Sequence, residues 1–187
     1  MKLKVTKGRR MSDKSNDGQV FGFAEVTLDR AGRYMMPADI NDSMGGRKTL
    51  LRINVELHGR YLELRTDEKF SQLVQRIKEL APTLPPDTLS ALMTDYLGYS
   101  LTVQIDNHYR LTIPKKLREL LGEDELILVG VGDALQIWGR TAFKKGQPER
   151  RASLKRDVPG LAHAVYGIPQ TRPPMNLMEA EPTEPDA

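Results

Sequence analysis

The stretch IDNHYRLTIPKKLRELLG, residues 105–122, has a close counterpart near the start of the chain, LDRAGRYMMPADINDSMG, residues 28–45. Both contain the pattern Asp-x-x-x-Arg-x-x-x-Pro. The Asp, the Arg and the Pro of the later stretch each lie 77 positions after their counterparts, so the three anchors coincide without a gap. A shared spacing of this kind indicates an internal repeat, and the repeat decides the fold.

Each copy of the repeat predicts the same order of short elements. An alternating strand precedes the Asp, a tight turn carries Asp-x-x-x-Arg, and a second strand runs into the Pro. Because proline lacks the N–H that would be unpaired at the first helical position, we expect Pro37 and Pro114 to begin helices. Gly122 is expected to end the second helix, and Gly132-Asp133 to join the strands ELILVGV and ALQIW.

The two turns differ at one position. Gly32 stands where a tight turn requires a positive φ, and Tyr109 takes that place in the second copy. A positive φ in the second turn must therefore fall on Asn107 or His108, or be tolerated by Tyr109 at some cost.

The changes in pattern along the chain predict five segments. They are a disordered basic arm (1–19), a first repeat (20–66), two linking helices separated by prolines (67–98), a second repeat (99–146) and a flexible proline-rich tail (147–187).

The composition restricts the classes of protein to which the chain can belong. The net charge is +3, but the first nineteen residues alone carry +4, which favours an acidic partner such as nucleic acid or a membrane surface. The absence of cysteine excludes disulfides, a thiol nucleophile and cysteine-bound metals. No apolar run approaches the roughly 18 residues of a membrane span, so we expect a cytoplasmic protein without a membrane partner.

The residues that could perform catalysis are scattered. His58, His108 and His163 show no metal-ligand spacing, although His108 lies inside the second turn, where it could touch a phosphate or base. The glycines of GVGDAL join two strands and do not form a phosphate-binding loop. We therefore expect no enzyme, metal, cofactor or small-molecule substrate, and we assign Trp138 to packing.

The repeated motif, followed by ELILVGVGDALQIW, resembles the two AbrB-type repeats of the MraZ family over about residues 21–145. The resemblance implies an α+β fold, mainly β: a swapped-hairpin AbrB-type barrel formed by two internal repeats with an intervening helix pair. It further implies a ring homo-oligomer, an octamer or dodecamer, that is associated with the nucleoid. Such a ring would bind repeated boxes in promoter DNA and repress its own division and cell-wall operon.

The two motif arginines are the leading candidates for DNA contact. A guanidinium on a hairpin turn can grip a phosphate or a guanine edge, and the Asp four positions earlier can brace it. The predicted DNA-binding residues are Arg33, Arg110, Lys115, Lys116, Arg118 and Arg30, and the predicted bracing residues are Asp29 and Asp106. The alternative is that each Asp–Arg pair only holds its hairpin together.

Charge is distributed unequally between the two copies. Residues 106–122 carry a net charge of +2 and residues 29–46 a net charge of −1, and Asn41 stands where the second copy has Arg118. We therefore expect the second copy to make most phosphate contacts, with the basic arm supplying charge to the first. On this basis Arg110→Ala should weaken binding more than Arg33→Ala.

Two other classes of function stay open. One is a ring-forming scaffold or protein-regulating partner that does not read an operator, which the acidic first copy and the long tails favour. The other is an AbrB-type antitoxin, although such proteins usually carry one repeat per chain.

Overall fold

A computed structural model describes residues 19–157 and residue 165. Residues 1–18 of the predicted arm, and the predicted tail beyond Asp157 except Val165, lie outside the described residues. The chain divides into two compact units, residues 1–145 and residues 146–187.

The same order of elements, strand-strand-helix-strand-strand-helix, occurs twice in the described chain. The first set is β1 (Val20–Thr27), β2 (Arg33–Met35), α1 (Ala38–Ser43), β3 (Leu50–Val55), β4 (Leu62–Thr66) and α2 (Asp67–Leu80). A 3-10 turn (Ala81–Thr83), α3 (Pro86–Ala91) and a π-helical turn (Leu92–Leu97) follow. The second set is β5 (Leu101–Gln104), β6 (Arg110–Thr112), α4 (Lys115–Leu121), β7 (Glu125–Gly132), β8 (Leu135–Gly139) and α5 (Arg140–Asp157).

The fold is mixed α+β, built on a large antiparallel sheet. Six strands form one sheet in the order β1-β7-β8-β4-β3-β5, and β2 and β6 form a separate two-stranded sheet. The edge strands β1 and β5 do not pair with each other in the described structure, so the predicted closed barrel is not confirmed.

Strands from the two halves of the chain are interleaved. β1 pairs with β7 from Val20↔Gly132 to Thr27↔Glu125, β3 pairs with β5, and β4 pairs with β8. The buried core therefore contains apolar side chains from both halves, each of which contributes about 1.5–3 kcal/mol when fully buried. Its largest members include Tyr34, Ile40, Leu51, Ile53, Leu62, Leu64, Ile105, Leu111, Ile113 and Leu126.

The helices after the motif turns begin one residue later than predicted. Pro37 (φ −57°, ψ 143°) and Pro114 (φ −55°, ψ 140°) are N-cap residues with extended backbone. Their carbonyl oxygens accept the first helical hydrogen bonds, from the N–H of Asn41 at 2.8 Å and of Leu117 at 2.9 Å. An N-cap residue needs this non-helical ψ, and a proline meets it without losing a hydrogen bond.

The end of α4 agrees with its sequence signal. Gly122 adopts the left-handed conformation (φ 69°) and closes the helix, as predicted. Leu117 is buried and Leu121 packs against the core, whereas Leu120 is 57% exposed. The core-facing leucines of α4 are therefore a pair spaced four residues apart, because a helix this short has only one narrow core-facing stripe.

Helix α5 continues past residue 147, where a flexible tail was predicted to begin. It runs to Asp157 with Pro148 inside it. Its first turn is held by Glu123, whose carboxylate accepts the N–H of Thr141 at 2.9 Å and its hydroxyl at 3.0 Å. The residues around Pro148 are mostly good helix formers, and their propensity offsets the one hydrogen bond that a proline removes.

Candidate nucleic-acid interface

The two Asp-x-x-x-Arg turns share one hydrogen-bonding scheme. The Asp29 Oδ1 atom accepts the N–H groups of Ala31 and Arg33, both at 2.9 Å. The Asp106 Oδ1 atom accepts those of His108 at 2.8 Å and Arg110 at 2.9 Å. One carboxylate oxygen thus closes each turn, which is the local bonding that makes Asp favourable in turns.

The second carboxylate oxygen of each Asp holds the arginine side chain. The Asp29 Oδ2 atom lies 2.8 Å from both Nε and Nη2 of Arg33. The Asp106 Oδ2 atom lies 2.9 Å from the same two atoms of Arg110. The Nη1 atoms take no part in these pairs, and the side chains of Arg33 and Arg110 stay 36% and 32% exposed. Each guanidinium is therefore oriented by its Asp and still accessible from solvent.

The pairing also keeps both carboxylates ionised. The hydrogen bond from the Arg33 guanidinium lowers the pKa of Asp29 below its ordinary value of 3.8. For Asp106 the backbone N–H of Arg110 lowers the pKa most, and the guanidinium adds to the effect. Both groups favour the charged form, so the arginines are held at neutral pH.

The backbone of the two turns is alike although their sequences differ. Gly32 has φ 74°, as predicted, and the positive φ of the second turn falls on Tyr109 itself, at 60°. The carbonyl oxygen of Tyr109 accepts the N–H of Met36 at 2.8 Å, and that of Gly32 accepts the N–H of Ile113 at 3.0 Å. These bonds between the halves favour the same backbone at both positions, so the side chain of Tyr109 tolerates a conformation that glycine adopts freely.

The two-stranded sheet brings both motif arginines to one face. In β2–β6, Tyr34 lies opposite Leu111 and both are buried, so the alternate positions point outward. Arg33 lies opposite Thr112 and Arg110 lies opposite Met35. The two arginines are therefore diagonal neighbours, roughly 7–8 Å apart at the backbone. Met35 (58% exposed) and the exposed Thr112 complete this outer face of β2–β6.

Arg118 does not lie at the turn of its own copy. A Cβ atom built on Gly32 would overlap the Arg118 guanidinium, so this side chain covers the first turn. Its Nε atom is buried and has no hydrogen-bond partner among the described residues. The charge count grouped Arg118 with the second copy, but its guanidinium lies against the first turn because the halves are interleaved.

The other predicted basic residues are on the surface. Lys115, 82% exposed, lies 4.0 Å from Glu119, and Lys116 and Arg30 are also exposed. An exposed lysine with a distant partner gains little from its ion pair and is available to a phosphate. Lys115 and Lys116 are the first two residues of α4, and Arg30 lies within the first motif turn.

The sequence interpretation missed one arginine close to this face. The Cζ atom of Arg47 lies 4.9 Å from the centre of the Tyr109 ring. Residue 47 falls one position outside the stretch whose charge was counted as −1, and a window drawn to the next strand would have included it.

The histidines and the tryptophan have ordinary surroundings. His58, 72% exposed, contacts the Glu56 carboxylate at 2.6 Å, and His108 sits in the second turn. His163 lies outside the described residues. Within the described part of the chain no group of three or more His, Asp or Glu side chains could hold a metal ion, and no helix there is long and apolar enough to cross a membrane. Trp138 is buried and stacks on Tyr61 at 4.1 Å, as its packing assignment predicted.

Comparison with known proteins gives consistent matches. Residues 97–158 match the family described as "MraZ protein, putative antitoxin-like". Three relatives, each named "Transcriptional regulator MraZ", align over longer stretches. The Caulobacter vibrioides protein is 28% identical over 73% of this chain and 87% of its own length. The Treponema denticola protein is 26% identical over 76% and 92%, and the Coxiella burnetii protein is 24% identical over 68% and 84%.

The family match covers the second turn, α4 and the β7–β8 hairpin, and the longer alignments span most of the described fold. The chain is thus similar to proteins of the MraZ family, and the three relatives carry the name transcriptional regulator.

Proposed function

We propose that this protein is a sequence-specific DNA-binding regulator that uses the outer face of β2–β6 to contact DNA. The observation that carries the proposal is that Arg33 and Arg110 lie on one exposed face, each oriented by an Asp that also closes its turn. The names of the relatives support the proposal, since regulation of transcription is commonly exerted at promoter DNA.

The two-stranded architecture of this face is one that can enter the major groove of DNA. A two-stranded β-ribbon fits the groove, which is about 12 Å wide, and a guanidinium can bond two acceptors on a guanine edge. The Asp side chains hold Arg33 and Arg110 before DNA arrives, so less side-chain freedom is lost on binding. Lys115, Lys116 and Arg30 are exposed, and in this proposal they contact phosphates of the DNA backbone.

The proposal includes the assembly implied by the family resemblance. We propose a swapped-hairpin arrangement of two repeats, with several chains associated into a ring. The ring binds repeated promoter boxes and represses the protein's own division and cell-wall operon. It acts in the cytoplasm, at the nucleoid. The pairing of β1 with β7 and of β3 with β5 supports the swap. Phe21 (63% exposed) opposite Val131 (48% exposed) leaves apolar surface on the edge pair, which favours self-association.

The central test is fluorescence anisotropy with two labelled duplexes across a salt series. One duplex carries the DNA immediately upstream of the protein's own start codon, and the other is a shuffled sequence of the same composition. We expect the upstream duplex to bind more tightly at physiological salt. Equal binding of both duplexes would reject operator reading.

Substitutions of the two motif arginines test whether the preference for the upstream duplex depends on the outer face of β2–β6. Arg33→Ala and Arg110→Ala should each weaken binding to the upstream duplex by about 1 to 3 kcal/mol, roughly 5- to 150-fold. The sequence favoured a larger loss for Arg110, but the structure places Arg118 at the first turn, so we now expect comparable losses. Lys78→Ala, which removes one exposed charge on α2, is the control. If either arginine variant binds like wild type while circular dichroism shows a folded protein, that arginine only holds its hairpin together through the pair with its Asp.

The exposed lysines should behave differently from the motif arginines. Lys115→Ala or Lys116→Ala should weaken binding to both duplexes and reduce the dependence of affinity on salt, because phosphate contacts carry no sequence information. A change in base preference would mean that these residues lie against bases.

The antitoxin alternative has one specific observation in its favour, the antitoxin-like description of the matching family. A protein that co-purifies in a fixed ratio with the chain, together with no preference for the upstream duplex, would support this alternative or the scaffold alternative. A strong preference for that duplex would leave operator reading as the primary function.

A further inference from the structure

The loop that joins α1 to β3 is held in a strained conformation next to the second turn. Lys48 has φ 66°, and the preceding Gly45 and Gly46 also have positive φ, at 92° and 79°. Positive φ is uncommon for a lysine and persists where surrounding contacts enforce it.

The contacts that enforce it come from the last residue of β5 and from the residue that follows it, just before the second turn. The N–H of Lys48 donates to the carbonyl oxygen of Ile105 at 3.0 Å. The side-chain amide of Gln104 donates to the carbonyl oxygen of Lys48 at 2.7 Å. The loop from the first half of the chain is thereby tied to the residue directly before Asp106.

This anchoring places Arg47 on the second turn. Its Cζ atom lies 4.9 Å from the centre of the Tyr109 ring, and Tyr109 immediately precedes Arg110. Arg47 is exposed, and Tyr109 is 40% exposed. A guanidinium stacked on an aromatic ring keeps its N–H donors at the rim, where an anion can reach them.

The two turns are therefore flanked in the same way by residues from the opposite half of the chain. Arg118 from the second half covers Gly32 in the first turn, and Arg47 from the first half covers Tyr109 in the second. Asn41, which occupies the position equivalent to Arg118, is buried and cannot perform this role. The arginine that α1 lacks is replaced by one from the loop that follows it.

We propose that Arg47 is a DNA-contacting residue, which binds the phosphate backbone beside the second turn, and that Tyr109 is the positioning residue that holds it. This inference rests on the proposed function of the β2–β6 face. The stacked guanidinium lies beside the turn and outside β2–β6, so its ligand is a phosphate and its effect is independent of base sequence.

The test measures affinity and its salt dependence for the full-length variants Arg47→Ala, Tyr109→Gly, Tyr109→Phe and the control Lys78→Ala, on the upstream and shuffled duplexes. Arg47→Ala should weaken binding to both duplexes several-fold and leave the preference for the upstream duplex intact. The slope of log affinity against log salt should fall by about 0.9 for each copy of the chain that contacts DNA.

The tyrosine variants test positioning. Tyr109→Gly suits the positive φ and so keeps the turn, but it removes the ring, and it should lower affinity by less than Arg47→Ala. Tyr109→Phe keeps the ring and should bind like wild type. In the double variant, Tyr109→Gly should add nothing to Arg47→Ala, because the tyrosine acts through the arginine.

The outcomes separate the two proposals. If Arg47→Ala keeps wild-type affinity and salt slope while Arg33→Ala and Arg110→Ala lose binding, the Arg47 proposal is overturned and the proposed function stands. If Arg47→Ala changes base preference, the phosphate assignment is wrong. If wild-type protein binds neither duplex, both proposals fail.

Discussion

At the residue scale, Asp29 and Asp106 each perform two tasks with one carboxylate. Oδ1 closes the turn by accepting two backbone N–H groups, and Oδ2 orients the arginine. A side chain with one acceptor atom could not do both, which explains the residue type at the first position of the motif. The turn also requires a positive φ at its fourth residue. Gly32 adopts this conformation freely, whereas Tyr109 adopts it at an energetic cost.

Gly32→Ala tests how much the positive φ of residue 32 and its contact with the Arg118 side chain each affect the stability of the fold. A Cβ at φ 74° should cost about 1–2 kcal/mol of unfolding free energy, and it would also displace the Arg118 guanidinium. Gly59→Ala is the matched control, because Gly59 has φ 70° and no atom near its added Cβ. Urea denaturation of both variants separates the backbone effect from the contact.

We expect Gly32→Ala to be the less stable of the two variants. Adding Arg118→Ala to Gly32→Ala should bring its stability close to that of Gly59→Ala. If the two single variants are equally stable, the guanidinium moves aside without cost and the contact with Gly32 contributes no stability.

At the element scale, the connections between equivalent strands differ in length. β7 and β8 are joined by residues 133–134, whereas β3 and β4 are joined by residues 56–61, which contain an ion-pair cluster. Glu56 accepts from His58 at 2.6 Å and from Arg60 at 3.1 Å, and its backbone N–H donates to Tyr61 at 2.9 Å. Burial alone would raise the pKa of Glu56, but the hydrogen bonds from Arg60 and His58 outweigh it and lower the pKa to about 2.

Glu56→Gln should therefore change stability in a pH-dependent way. The ordinary pKa of the carboxyl is 4.5, so its contribution is fully present above that pH and is lost as the pH falls from about 4.5 to about 2. At pH 7 the variant should be less stable by up to about 3 kcal/mol.

The check is the free energy of unfolding of wild type and Glu56→Gln, measured in urea at several pH values from 7 to 3. Other carboxylates titrate in both proteins, so the difference between the two is the quantity to follow. The difference should shrink below pH 4.5. A difference in unfolding free energy that does not change with pH would show that the Glu56 side chain stabilises the fold through its packing and not through its charge.

At the scale of the whole molecule, the interleaved strands place parts of both halves at each turn. Arg118 covers the first turn and Arg47 the second, so neither half contains the whole of the proposed DNA-binding surface by itself. In the proposed ring, several such surfaces would bind one promoter. Each would bind weakly, and tethering would turn later contacts into intramolecular events.

Promoter geometry should then control affinity. A duplex with several boxes should bind about 10² to 10⁴ times more tightly than a duplex with one. Changing the spacing between boxes by about 5 bp, half a helical turn, should remove most of that gain because successive boxes face opposite sides of the DNA. Analytical ultracentrifugation of the free protein gives the number of subunits for comparison. Equal affinity for one box and for several would contradict the ring proposal.

The local sequence was sufficient to predict the structure wherever a residue's own chemistry sets the backbone conformation. It predicted the turn at Gly32, the helix end at Gly122 and the hairpin at Gly132, because glycine, asparagine, aspartate and proline act over a few residues. It also predicted that Trp138 is buried, from its place in an apolar strand. The extent of α5 was missed, since prolines in the sequence outweighed the helix formers around Pro148.

The sequence by itself thus determined the two motif turns, the order of the elements as far as β8 and the pairing of each Asp with its own Arg, because these depend mainly on contacts within a few residues. Only the tertiary structure decided which cations flank which turn. Arg118 with Gly32 and Arg47 with Tyr109 are contacts between residues more than sixty positions apart. They exist because β2 pairs with β6 and the halves interleave, and that pairing is a property of the whole core.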